Sequence, residues 1–208
     1  VYLADVGIVK IRGKARNTGG KPKTAEIIRK NGEWFISVSM EYDTIERNCG
    51  TKAVGLDWGV SHYFSTIDQD GNFEQVENPR YLRNSKERLT SLQRDLALAK
   101  KGTRTQRKLK HQIAKLHQKI ARQRLDFTHK ETAKLVEVAA LIATEKLTVK
   151  NMTRSAKGTV EKNGKMVKQK AGLNREILNT APAMTLNLLR YKAEEASSEF
   201  VEVPTKQV

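Results

Sequence analysis

The sequence predicts an α/β protein: a parallel or mixed sheet interrupted by long basic helices, behind an all-β N-terminal segment. Three observations lead there. Strand-like apolar runs recur at 52–78, 139–149 and 199–203. Between them, residues 84–138 and 176–197 carry apolar side chains at spacings of three and four, the period of a helix. Strands alternating with helices imply parallel pairing somewhere in the sheet.

The elements follow in order. Residues 1–48 read as extended. "VGIVKIRG" (6–13) alternates, and "TAEIIRKNGEWFISVSME" (24–41) places Asn31-Gly32 between two β-prone runs, the strongest short hairpin signal. The segment resembles a small barrel or part of one. Lys10, Arg12, Lys14, Arg16, Lys21, Lys23, Arg29 and Lys30 crowd it with positive charge. Residues 52–78 form a three-stranded meander, with Asp70-Gly71 in the second turn and Pro79 ending the β region. Leu89, Leu92, Leu96 and Ala99 open a helical stripe; Gly102 interrupts it, and Thr103 with Gln106 fits a capping box that restarts it. Leu109, Ile113, Leu116 and Ile120 carry it on. The outcome is either two helices in a hairpin or one long kinked helix. "AALIATEKLTV" (139–149) reads as a buried strand with Glu145 near its C-terminal end. "TVEKNGKMV" (159–167) suggests a small hairpin centred on Asn163-Gly164. Residues 176–197 are helical around Pro182, with Met184, Leu188, Leu189 and Tyr191 available to pack. "EFVEV" (199–203) is a last strand.

Composition narrows the function. The 208 residues allow one sizeable core, or a core plus a smaller module. Lys and Arg number 39 against 23 Asp and Glu, a net charge of +16 that predicts attraction to polyanions, nucleic acid first among them. No basic amphipathic helix with an aromatic face argues for a membrane surface, and no apolar run approaches the ~18 residues of a spanning helix. The N-terminus lacks a secretory pattern. The single cysteine, Cys49, supports neither a disulfide framework nor a zinc motif, and fits a reducing cytoplasm. The chain starts at Val1 and stops just after a strand, as a piece of a longer protein would.

The charge is concentrated. Lys100, Lys101, Arg104, Arg107, Lys108, Lys110, Lys115, Lys119, Arg122 and Arg124 fall within one stretch that holds no Asp or Glu. A solvated helix face ordinarily mixes signs at i,i+4, because like charges there repel. A one-sign helix is better explained by a phosphate backbone that neutralises it.

Two acids stand out against this background. Asp57 lies inside "KAVGLDWGVSHYFSTID" (52–68), and Glu145 closes the apolar run from Ala139. A carboxylate inside a buried strand needs a compensating charge. Strands joined by a helical crossover commonly lie side by side, which would bring the two acids to one sheet edge. Two close carboxylates repel unless a proton or cation sits between them. Magnesium favours hard oxygen ligands and shares its site with phosphate oxygens, and paired ions ~3.5–4 Å apart stabilise both oxygens in phosphoryl transfer. A strand-turn aspartate and an exposed strand-end glutamate are the bland alternatives.

Other candidates are weaker. His62, His111, His117 and His129 are not spaced as a metal cluster. His111 and His117 lie in the basic stretch and suit phosphate or solvent; His129 suits packing. Asp126 suits an ion pair with a nearby arginine such as Arg122. Trp34, Phe35 and Trp58 could stack on bases, with core packing the better reading for Phe35. Ser61, Ser65 and Thr66 show no base-plus-orienter arrangement, so no hydrolase triad is visible.

The order and spacing of "GLDWGVSH", then "RLTSLQRDLALAKKGTRTQRKLKHQIAKLHQKIARQRLDFTHKETAKLV", then "LIATEKLTVKNM" and "GLNREILNTAPAMTLNLLRYKAEEASSEFVEVP" resembles the TnpB family. These are transposon-encoded, RNA-guided DNA endonucleases related to type V CRISPR effectors, also known as OrfB-type transposases. The resemblance runs from about residue 6 to the end. It implies an RNase H-like (RuvC) mixed sheet with inserted long basic helices at 84–138, preceded by a small β-barrel-like wedge segment. The implied domains are 1–50, part of the wedge, and 51–208, the RuvC-like nuclease. Asp57 matches the first catalytic acid and Glu145 the second, on the fourth strand, both as ligands of Mg²⁺ or Mn²⁺. The helices at 84–125 match the segment that lies against guide RNA paired with target DNA; Lys10 and Arg12 fall in the RNA-binding wedge. Base pairing would supply sequence specificity. A prokaryotic, nucleoid-associated cytoplasmic location follows. The family pattern continues with a four-cysteine zinc ribbon and a third catalytic Asp, neither present here, and the family's "EDL" is "EKL" at 145–147. The chain as given is therefore expected to cleave weakly or not at all.

Two rivals stand beside the nuclease. A non-catalytic module that binds guide RNA and DNA explains the charge and the missing third acid. A structural RNA-binding protein explains the charge but not two acids in apolar strands.

Overall fold

The computed structural model describes residues 2–3, 5–12, 19–42, 49–159 and 161–204. The chain forms two compact units, Val1–Ile45 and Glu46–Val208.

In the first unit, β1 (Tyr2–Leu3) pairs antiparallel with β2 (Gly7–Ile8), and β3 (Lys21–Lys30) pairs antiparallel with β4 (Glu33–Glu41). Asn31 and Gly32 both take positive φ, 53° and 80°, as a two-residue hairpin turn requires. The expected strand over 6–13 reduces to Gly7–Ile8, with 9–12 outside any ladder; residues 13–18, with Lys14 and Arg16, lie outside the described set. Among the described residues the ladders stay two separate two-stranded sheets rather than a closed barrel. Every residue of β3 is exposed.

The second unit is built on a five-stranded sheet. Its strands are β5 (Lys52–Trp58), β6 (His62–Asp68), β7 (Phe73–Glu77), β8 (Ala139–Glu145) and β9 (Glu199–Val203), in the order β7-β6-β5-β8-β9. β5, β6 and β7 form an antiparallel meander; β8 pairs parallel to β5, and β9 parallel to β8. The sheet is therefore mixed, with parallel pairing where helices form the crossover.

The helices are α1 (Tyr81–Asn84), α2 (Lys86–Leu98), α3 (Arg104–Val138), α4 (Val149–Met152), α5 (Val167–Thr180) and α6 (Pro182–Ala196). The hairpin alternative holds: α2 packs against α3, a helix of 35 residues and ~52 Å at 1.5 Å per residue. Gly102 breaks the chain between them at φ 80°. Thr103 Oγ1 accepts from the Gln106 N–H at 3.2 Å, while Gln106 Oε1 accepts from Gly102 at 3.1 Å. The expected box therefore closes one residue earlier than its usual form, on N′ rather than N-cap. The hairpin expected at 159–167 is shifted: Asn163 pairs with Gly158 instead of occupying the turn, and helix resumes at Val167 rather than 176. Ala181, at φ 51°, then separates α5 from α6, with Pro182 at the first helical position.

Strand alternation fixes which sheet face is buried. Val54, Leu56 and Ile142 point to one face and pack with Leu135 and Val136 of α3 and Leu189 of α6. A bulge between His62 and Phe64 lets consecutive Tyr63 and Phe64 both enter that core. The opposite face carries Gly55, Asp57, Ser65, Ile67, Phe73, Ala143 and Glu145. Ile67 and Phe73 remain 51% and 61% exposed there.

Candidate functional site

Asp57 sits on this open face. Val54 and Leu56 alternate inward, so Gly55 and Asp57 alternate outward. The apolar run around Asp57 suggested a buried carboxylate needing compensation; the structure exposes it instead. Parallel β5 and β8 pair through Gly55↔Ala143 and Leu56↔Thr144. One step further along the same register sets Asp57 beside Glu145, across a strand spacing of about 5 Å. Both line an open concavity of about 630 Å³, together with Ser65, Gln75 and Val203. The fold thus brings together two acids that are 88 positions apart in the chain.

Among the described residues, neither carboxylate has an ion pair or a side-chain hydrogen bond. Same-face acids on adjacent strands repel, and a bare cation between them relieves the repulsion. Two unpaired, solvent-facing carboxylates are hard oxygen donors of the kind magnesium or manganese takes. No group of three or more His, Cys, Asp or Glu capable of holding a metal occurs among the described residues.

The basic stretch lies mostly on the surface. Lys100, Lys101, Arg104, Arg107, Lys108, Lys110, Lys115, Lys119 and Arg122 are exposed on α3 and the turn before it. Arg124 differs: it is half-buried, and its Nη2 donates to Asn179 Oδ1 at 2.8 Å. Burial pulls its guanidinium pKa down. Its reach is thus directed into the fold rather than along the helix surface. Asp126 pairs with Lys130 at 2.7 Å, one turn on. In the first unit, exposed Lys10 and Arg12 line a groove of about 620 Å³ with Trp34 and Phe35. Trp34 is exposed and carries the Arg29 guanidinium 5.4 Å from its ring, a cation–π contact. Phe35 is half-buried.

A further cleft was not visible in the sequence. It holds about 610 Å³ and gathers Arg80, Arg83, Lys86 and Arg175 from α1, α2 and α5. Arg175 lies 92 positions after Arg83, so no local pattern marks the cluster.

A family model described as "Probable transposase", OrfB_IS605, matches residues 35–156. An Escherichia coli (strain K12) protein named "Putative RNA-guided DNA endonuclease InsQ" is 33% identical over 205 residues, covering 98% of this chain and 50% of that protein. A Streptomyces pristinaespiralis relative, bearing the same name without "InsQ", is 29% identical over 186 residues, covering 89% of this chain and 42% of its own. Two solved structures also resemble the fold. A CRISPR-Cas12f ternary complex matches at TM-score 0.47 and 15% identity, over 82% of this chain and 32% of that one. A Cas12f1–sgRNA–target DNA complex matches at 0.45 and 16%, over 86% and 41%. The chain belongs to the OrfB_IS605 transposase family, the OrfB-type proteins that its TnpB-like motifs anticipate. It spans about half the length of the curated relatives it matches. No helix among the described residues is long and apolar enough to cross a membrane.

Proposed function

We propose that this chain is the core of a transposon-associated, RNA-guided DNA endonuclease, with Asp57 and Glu145 as its first two catalytic acids. The observation that carries the reading is the pair itself: two unpaired carboxylates on adjacent parallel strands, facing an open concavity. The sheet order, with one acid on the first and the other on the fourth strand of five, supports an RNase H-like (RuvC-type) fold. The names of the relatives support DNA as substrate and RNA as guide.

Asp57 and Glu145 would hold Mg²⁺ or Mn²⁺ through their carboxylate oxygens. Such an ion, when bound, supplies Lewis-acid activation of a phosphodiester and of the attacking water. The residues do the rest by position. β5 and β8 present both acids at one level of the sheet, and the core behind them fixes the spacing. The exposed cations of α3 would bind the phosphate backbone and hold nucleic acid against this unit.

The test is Asp57→Ala in the full-length parent protein, scored for DNA cleavage and for guide RNA binding. Cleavage should be lost with RNA binding intact; full cleavage would overturn the reading. A Mn²⁺ titration of the present chain, followed by electron paramagnetic resonance, should show binding that Asp57→Ala weakens at least tenfold.

One observation favours a second reading for the isolated chain. With two acids rather than three converging among the described residues, it would bind nucleic acid without cutting it. Metal-dependent nicking of plasmid DNA by this chain would exclude that reading.

A further inference from the structure

A cleft lies between the β5–β6 turn, α1, α2 and α5. Arg80, Arg83, Lys86 and Arg175 line it against a single acid, Glu176. Among the described residues none of these four cations has an ion pair. Four converging cations repel one another in the empty protein, and the fold keeps them together all the same. A polyanion in the cleft removes that repulsion.

The backbone around the cleft is built rather than incidental. Asn78 Nδ2 donates to the Val60 carbonyl at 2.8 Å, and its Oδ1 accepts from the Arg80 N–H at 3.0 Å. One side chain thus ties the β5–β6 turn to the start of α1, and both Val60 and Arg80 line the cleft. Arg80 is held in the left-handed region at φ 50°, a conformation that is strained for a non-glycine residue. Strain of this kind persists where surrounding structure over-determines it, and it gathers at functional sites.

Position and size name the ligand. Val60 follows Asp57 by three residues, a reach of at most ~11 Å, so the cleft opens at the sheet end that carries the acids. Its volume of about 610 Å³ is that of a small-ligand pocket, enough for a nucleotide or two. Val60, Leu82 and Leu89 give it an apolar wall beside the cations, as an unpaired base with its phosphate would need.

We propose that this cleft is a subsite for single-stranded DNA, in which Arg83, Lys86 and Arg175 hold backbone phosphates of the strand presented to Asp57 and Glu145. It rests on the nuclease reading only for which strand it holds; the binding itself is tested apart from cleavage.

The experiment is a fluorescence-anisotropy titration of a labelled oligo(dT) 20-mer across a salt series, with the chain carrying Asp57→Ala throughout. Each phosphate contact to a single strand contributes about 0.7 to the slope of log affinity against log salt. R83Q/R175Q should therefore reduce that slope by about 1.4, while Glu176→Gln should tighten binding. A charge-matched pair outside both the cleft and the 84–125 helices, K162Q/K165Q, controls for net charge, and far-UV circular dichroism controls for folding. An unchanged slope in the cleft variant overturns the proposal, as does an equal loss in the control pair. So does a mononucleotide, or an oligo(U) of equal length, binding through the cleft as tightly as the oligo(dT). Should Asp57→Ala still cut DNA in the parent protein, the nuclease assignment falls while the slope result stands.

Discussion

Replacing Tyr63 by Phe should destabilise the second unit by about 2 kcal/mol, and the reason lies in how protons are distributed in the core. Tyr63 is 1% exposed, and its hydroxyl lies 2.8 Å from Thr128 Oγ1 of α3 and 2.6 Å from Thr185 Oγ1 of α6. Thr128 Oγ1 donates to the Arg124 carbonyl at 2.9 Å, so its only proton is committed there. Tyr63 must then donate to Thr128 and accept from Thr185. The result is a chain from Thr185 through Tyr63 and Thr128 to the Arg124 carbonyl, joining the sheet to both covering helices. Phe keeps the ring and its edge-on contact with Phe127, 4.9 Å between centroids. What is lost is two hydrogen bonds, each contributing about 1 kcal/mol net. No donor is orphaned, because Thr185 can turn to the Ala181 carbonyl at 3.3 Å. About 2 kcal/mol corresponds to roughly 4–8 °C in Tm for a unit of this size. Urea unfolding followed by tryptophan fluorescence measures it, with Thr185→Val completing a double-mutant cycle. Thr185→Val alone should cost about 1 kcal/mol, and the pair should show a coupling of about 1 kcal/mol because they share one bond. A cost for Tyr63→Phe below about 0.5 kcal/mol, or strict additivity, would refute the proton chain.

Two further outcomes are expected. Asp68 accepts from the Asn72 side chain and backbone, the Asp70 N–H and the Lys52 ammonium, and these contacts hold its carboxyl far below the ordinary range, Asn72 foremost. A depressed folded pKa adds stability above the unfolded value of about 3.9. That stability is lost as pH falls through the folded value, so Asp68→Ala should destabilise at pH 7 and progressively less below pH 4 in parallel urea titrations. Thr103→Ala removes the N-cap of α3 and should cost about 1 kcal/mol. Amide exchange at Gln106, whose N–H that side chain accepts, should rise about fivefold, with the centre of α3 unaffected.

Much of the fold was legible because its signals are local. Asn31-Gly32 dictates a hairpin through backbone sterics alone, and the structure has it. Gly102, Thr103 and Gln106 end one helix and start another through groups within five residues of each other. Glu145 closes its strand as read. The signals that misled were also local. The unbroken run around Asp57 read as a buried strand, yet alternation sends 54 and 56 inward and 55 and 57 outward, and only the packing of α3 and α6 decides which face is covered. Asn163-Gly164 looked like a turn, but the bridge to Gly158 places Asn163 in the pairing.

The charge, the basic helical stretch, the Asn31-Gly32 hairpin and the two candidate acids can be read from the chain, since composition, period and turn chemistry act over a few residues. Three features exist only once the chain has folded. Parallel register between β5 and β8 set Asp57 beside Glu145 across 88 residues. Packing turned Arg124 inward, toward Asn179, and away from the cationic face. Crossovers brought Arg175 to Arg80, Arg83 and Lys86, completing a cleft whose fourth cation the linear chain keeps far from the other three. The physical reason is the same in each case. Pairing register and side-chain convergence depend on which elements meet, and that is fixed by burying one face of a sheet, an energy summed over the whole unit rather than written at any one position.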